Sequence, residues 1–179
     1  MTRVFGRLWR ATGGVAAIEF AVVALPFLAL ILVIFETSLI FLTEYVMESS
    51  LASAARMIRT GQVQAQGLTK SQLKTLVCDK MEIFLDCESK LYVDVRSFTA
   101  FSDIAGGIPA ASVEGEVNPA IANDDDGSGF QPGGATQVVV ARAFYDWELI
   151  VPQLSKLGTL NGNRRLIAVG TAFRNEPFP

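Results

Sequence analysis

The sequence predicts an α+β protein. A long N-terminal transmembrane helix continues into a small periplasmic domain that has a second helix and a three- to four-stranded antiparallel sheet. Three observations lead there. A charge-free apolar run, AVVALPFLALILVIF, fills residues 21–35. Helical periodicity continues beyond it to about residue 60, and three later segments have the character of strands.

The anchor comes first. A chain of 179 residues accommodates one domain plus an anchor. Half of its residues are hydrophobic, and its mean hydropathy is +0.36. That excess is concentrated near the N-terminus. Phe20 to Leu42 is a stretch of 23 mostly apolar residues, and a spanning helix needs about 20. A cleaved secretory signal would place an A-x-A pattern just after a short apolar core. Here the first such pattern, Ala52-Ser53-Ala54, lies too far along and the core is too long. A helix apolar on all faces is also rare inside a small soluble domain. The segment therefore reads as a retained anchor.

Its flanks set the orientation. Arg3, Arg7 and Arg10 precede the span, and none of the first 18 residues is acidic; beyond the span come Glu44 and Glu48. Lys/Arg excess marks the cytoplasmic side, so the expectation is a single-pass inner-membrane protein with its C-terminal domain in the periplasm. Net charge is −3, and without the three leader arginines 12 basic residues face 18 acidic ones, a net of −6. Nucleic-acid binding has no support in that balance.

Past the membrane, Met47, Leu51, Ala55 and Ile58 recur at helical spacing, and Gly61 after Arg56 and Arg59 is a fitting stop. The first helix is thus expected over residues 15–60, with a kink at Pro26 where one hydrogen bond is missing. Thr69-x-x-Gln72 before Leu73, Leu76, Val77 and Phe84 reads as a capping box opening an amphipathic helix. Leu91 to Phe98 alternates apolar and polar residues as a half-buried strand does, and Thr136 to Trp147 and Arg164 to Arg174 give two more. Asn161-Gly162 resembles a tight-turn signal before the last strand. Phe144, Tyr145 and Trp147 read as core residues, with a ligand-binding face as the lesser alternative. Residues 102–135, rich in Gly, Asp, Asn and Pro, read as a long exposed loop. Its acidic centre, Asn123 to Gly129, fails the EF-hand pattern: with Gly127 at position six, Ala122 falls at position one and Gly133 at twelve.

Cys78 and Cys87 lie on the exported side, where oxidation is permitted. A disulfide is the preferred reading, and two separately buried thiols are the alternative. Nine residues along an unbroken helix span about 13.5 Å, whereas a disulfide needs its Cα atoms within about 7 Å. A bridge therefore requires the second helix to end or turn between them, near Leu85-Asp86. Two cysteines without histidine make zinc a poor fit.

The chain has no histidine at all. That removes Ser-His-Asp and Cys-His nucleophilic systems and His-based metal sites together. Gly127-Ser128-Gly129 lacks the lysine and following helix of a phosphate loop. Adjacent Asp124 and Asp125 lack an apolar pocket to separate their pKa values. The reading is non-enzymatic, with no cofactor.

The junction before the span carries the most information: Gly13-Gly14-Val15-Ala16-Ala17-Ile18-Glu19-Phe20. An unpaired glutamate at the entry to an apolar helix is costly unless it reaches water or a partner. Glu19 suits a helix start, where the macrodipole favours negative charge, and it suits the headgroup level. The order of features, however, resembles a class IV prepilin processing site: basic residues, glycine, four residues, glutamate-aromatic, apolar helix. GGVAAIEF is more closely similar to the TadE-like pseudopilins of tight-adherence (Flp, type IVc) systems. The strand TQVVVARAFYDW and the closing GTAFRNEPF also resemble that family's domain.

The resemblance implies cleavage by a prepilin peptidase between Gly14 and Val15. It makes residues 1–14 a cytoplasmic leader, 15–60 the pilin helix and 61–179 the periplasmic domain. It also implies that Glu19, with Phe20 beside it, meets the new amine of a neighbouring subunit. A carboxylate and an ammonium brought together in low dielectric satisfy each other where neither is tolerable alone. The implied partners are the membrane, the peptidase, other major and minor pilins, and the inner-membrane assembly platform. The implied end state is possible incorporation into an extracellular pilus. The rival reading is an anchored periplasmic scaffold or binding protein that is never processed.

Overall fold

The structure, a computed structural model, describes residues 13–81, 86–123 and 129–178. The leader arginines, Phe84, Leu85 and the acidic stretch 124–128 lie outside the described residues.

Helix α1 runs unbroken from Gly13 to Arg59, with Pro26 inside it and the two arginines in its last turn. It stops at Gly61, whose φ of 78° is easily reached only by glycine. A Cβ there would lie 2.5 Å from the ring of Phe178, so the same glycine admits the C-terminal tail. Arg59 holds that tail from the helix end: its carbonyl accepts from the Glu176 N–H at 2.9 Å, and its guanidinium meets the Glu176 carboxylate at 3.2 Å.

After the short α2 (Gln62–Gln66) comes α3 (Lys70–Cys78), which opens on the expected capping box. Thr69 Oγ1 accepts from the Gln72 N–H at 3.3 Å, and Gln72 Oε1 accepts from the Thr69 N–H at 2.9 Å. The helix ends at Cys78, well before the Leu85-Asp86 region expected from the sequence. Cys78 is bonded to Cys87, at the start of α4 (Cys87–Lys90), with the Cα atoms 5.7 Å apart. That separation obliges the chain to reverse within nine residues, and the reversal begins at once after Cys78.

Among the described residues the main sheet has three strands, all antiparallel, in the order β1 (Leu91–Phe98), β4 (Val138–Glu148), β5 (Arg164–Arg174). The α+β class expected from the sequence is therefore the class observed. One face of the sheet packs on the outer part of α1. Met47, Leu51, Ala54 and Ile58 of the helix meet Val93, Val95, Val139, Ala141, Ala143 and Tyr145, and α3 adds Leu73 and Val77.

The segment read as an exposed loop is instead the cover of the opposite face. It contains a 3-10 turn (Phe101–Asp103), α5 (Ile104–Gly107), a hairpin of β2 (Ser112–Val113) and β3 (Glu116–Val117), and α6 (Pro119–Ala122). Ile121 is fully buried, and Lys70, itself buried, donates to the Ile121 and Asn123 carbonyls at 3.1 and 2.6 Å.

This cover explains why Asp94 is buried although the strand's alternation places it on the polar side. Asp94 pairs across the sheet with Arg142, whose Nη2 donates to it at 2.6 Å, and Arg96 Nε donates at 2.9 Å. Each arginine also reaches a carbonyl of the cover, Arg142 to Pro109 and Arg96 to Ala120. A buried carboxylate held by two guanidinium groups is satisfied as its burial requires. Phe144 is buried on this side beneath Arg142, and Tyr145 and Trp147 are buried on the other. Residues 129–131 close the free edge of β1: Val95 N–H donates to Gly129 O and Gln131 N–H to Val95 O, each at 2.7 Å. Gly129 has to be glycine, because a Cβ would stand 2.7 Å from Asp94 Oδ1.

Candidate functional site

The candidate site is the inner part of α1. Its residues form one continuous helix although Pro26 removes a hydrogen bond within it, and the apolar side chains of Val15–Phe35 are evenly distributed around it. Gly14 and Val15 lie in the first helical turn, among the residues whose N–H groups have no intrahelical acceptor. Gly14 is helical, but it sits where a helix opens most easily, and a Cβ on it would meet nothing within 4 Å. Glu19 is exposed, and no partner faces it among the described residues. Phe20, next to it, is 74% exposed.

Beyond Phe20 the helix has no cover from the protein's own domain. Val22, Val23, Leu25, Phe27, Leu28 and Leu30 are exposed, as are Ile31, Leu32, Ile34 and Phe35, while Val33 is half-buried. This is the one helix among the described residues that is long and apolar enough to cross a membrane. Burial begins abruptly at Glu36 and Ile40. The expected span of 20–42 is therefore shortened on its domain-facing side. On the opposite side the apolar stripe continues outward through Phe41, Leu42 and Tyr45, all exposed, until Glu48.

Glu36 is the residue that sequence reasoning missed. It read as a polar interruption in an apolar run, yet it is fully buried. Its Oε1 accepts hydrogen bonds from the backbone N–H groups of Ile150 and Val151, the latter at 3.1 Å. A lone acid between apolar stretches was the available signal, but its partners lie 114 and 115 residues away.

The disulfide is not part of this site. Cys78 and Cys87 fasten the base of the domain, while the junction residues Gly14 to Phe20 stand apart on the helix. Within the domain, burial pushes the Tyr145 phenol above its ordinary value of 10.0, with Asp86 and Asp146 acting in the same direction. Among the described residues, no group of three or more Cys, Asp or Glu side chains is placed to hold a metal.

Comparison with known proteins bears on the same helix. Residues 14–56 match the family model described as TadE-like protein. Over this helix the chain is similar to TadE-like proteins. The match begins at the glycine of the junction and ends one turn before the end of α1, so the strands of the domain lie outside it. TadE-like pilins are a structural, non-enzymatic family. No curated protein and no solved structure matches the chain.

Proposed function

We propose that this TadE-like chain is a minor pilin, or pseudopilin, that takes part in the biogenesis of tight-adherence (Flp, type IVc) pili. A prepilin peptidase cuts between Gly14 and Val15, removing leader 1–14. Helix 15–60 then packs laterally with helices of other pilin subunits on the inner-membrane assembly platform, and domain 61–179 stands in the periplasm. The observation that carries this reading is the inner half of α1. It is apolar on all sides, uncovered by its own fold, and interrupted only by Glu19, five residues beyond Gly14. In lipid the hydrophobic effect gives such a helix no reason to pair, so close packing and satisfied polar groups must do so. The ammonium of Val15 and the carboxylate of Glu19, on adjoining subunits, are such groups.

N-terminal sequencing of the protein from cell envelopes tests the cleavage. A start at Val15 supports the pilin reading, and an intact Met1 supports the unprocessed scaffold. The substitution Glu19→Gln is expected to abolish or strongly reduce pilus assembly while leaving the domain folded. Wild-type levels of surface fibres from that variant would remove the pairing role.

A further inference from the structure

The seam at Glu36 points to a second contact with the bilayer. Through its two hydrogen bonds Glu36 fastens the segment 149–157 to α1. That segment is a built turn. Leu149 is buried in the core, the short α7 (Pro152–Ser155) lies beside α1, and Lys156 adopts a left-handed conformation that turns the chain inward again. Arg165 then fixes the exit by donating to the Leu157 carbonyl at 3.0 Å. Yet two large aliphatic side chains on this rigid turn face outward: Ile150 and Leu154 are 59% and 51% exposed.

Their height along α1 comes from helix geometry. Glu19 and Glu36 bracket the uncharged stretch 20–35, and at 1.5 Å per residue they stand about 25 Å apart. The hydrocarbon core of a bilayer is about 30 Å thick. With Glu19 about 5 Å inside the cytoplasmic boundary, Glu36 and the turn it holds arrive at the opposite boundary. The charges suit that level. From residue 149 to 175 the chain has no acidic residue, and Lys156 is exposed on the turn. The acid that precedes it in the chain, Glu148, is approached by Lys90 at 3.8 Å, and the Glu36 carboxylate is turned inward onto the N–H groups of Ile150 and Val151. Cationic side chains are favoured near anionic lipid.

We propose that residues 149–157 form an interfacial foot. Ile150 and Leu154 enter the outer headgroup–acyl boundary beside α1, Lys156 lies among the lipid phosphates, and the domain is held on the membrane at two points instead of swinging on one helix. This rests on the membrane reading of α1, and the test separates the two.

The full chain is reconstituted in vesicles of mixed zwitterionic and anionic phospholipid, with an environment-sensitive fluorophore on one introduced cysteine and the native disulfide kept oxidised. The labelled variants are Leu154→Cys on the turn, Gln66→Cys at the far end of the domain, and Leu28→Cys within the span. Lipids carrying a shallow or a deep spin-label quencher are compared with aqueous iodide. The expected result is several-fold stronger quenching of residue 154 than of residue 66 by the shallow lipid label, with residue 154 protected from iodide. Should residue 154 behave like residue 66 while residue 28 is quenched from within the bilayer, the foot is overturned and the span stands. Shielding of residue 154 from both lipid and iodide means a protein contact, which also overturns the foot. Failure of residue 28 to respond to the lipid labels removes the span and the foot together.

Discussion

The inner and outer halves of α1 are one continuous helix in two different environments. From Val15 to Phe35 apolar side chains surround the axis, and none is covered by the domain. From Glu36 to Arg59 the helix is amphipathic: Ile40, Met47, Leu51, Ala54 and Ile58 enter the core, while Glu44, Glu48 and Arg56 face outward. The same backbone therefore does two jobs. Its outer half is a structural element of a soluble-type domain, stabilised by burial against a sheet. Its inner half contributes nothing to that core, and its apolar surface is that of a candidate membrane span.

Equivalent truncations in the two halves should therefore differ in kind. Leu51→Ala removes a fully packed side chain and should cost the domain about 2–5 kcal/mol. Leu28→Ala should leave domain stability unchanged. Chemical denaturation of the full chain in detergent micelles, followed by near-UV circular dichroism, measures both. Equal losses at the two positions would break the distinction between the halves.

Glu36 marks the boundary and sharpens the comparison. Glu36→Ala leaves the N–H groups of Ile150 and Val151 without their acceptor, and should destabilise the domain by about 1–3 kcal/mol in the same assay. The acid of the inner half should behave oppositely: Glu19→Gln should not move the denaturation midpoint. An unchanged midpoint for Glu36→Ala would mean that the turn at 150–151 does not depend on the carboxylate.

The smallest effect is confined to alkaline solution and to the outer half's core. Burial raises the Tyr145 pKa above 10.0, so the folded domain favours the neutral phenol more than the unfolded chain does. That contribution is complete below the unfolded-state value near 10 and is lost as pH rises through the higher folded-state value. Tyr145→Phe should weaken this alkaline decline and leave the pH dependence near neutrality as it was. A pH series of denaturation midpoints for the two proteins checks it, and parallel curves above pH 10 would assign the decline to other groups.

Much of this fold was legible because its signals are local. The capping box at Thr69 and Gln72, the stop at Gly61 and the bounds of β1 and β5 depend on residues within a few positions of one another. The turn after Cys78 followed from chain length alone once a disulfide was assumed, although its position fell earlier than expected. The cover formed by residues 101–122 was not legible. Glycine, proline and acid are what a solvated loop contains, and its seating on the sheet depends on the buried Ile121 and on Arg96 and Arg142 reaching across to its carbonyls. The alternation of β1 likewise placed Asp94 in water, because it assumes that one face of a sheet stays open.

The sequence by itself determined an apolar candidate anchor with a glycine–glutamate junction and the α+β order of the domain after it. These are properties of composition and short-range spacing. Tertiary structure alone decided where the lipid-facing helix becomes a domain helix, which sheet face is covered, and that Glu36 joins the two. Those outcomes depend on partners from 24 to 115 residues apart, and no local pattern records which distant N–H a buried carboxylate will find.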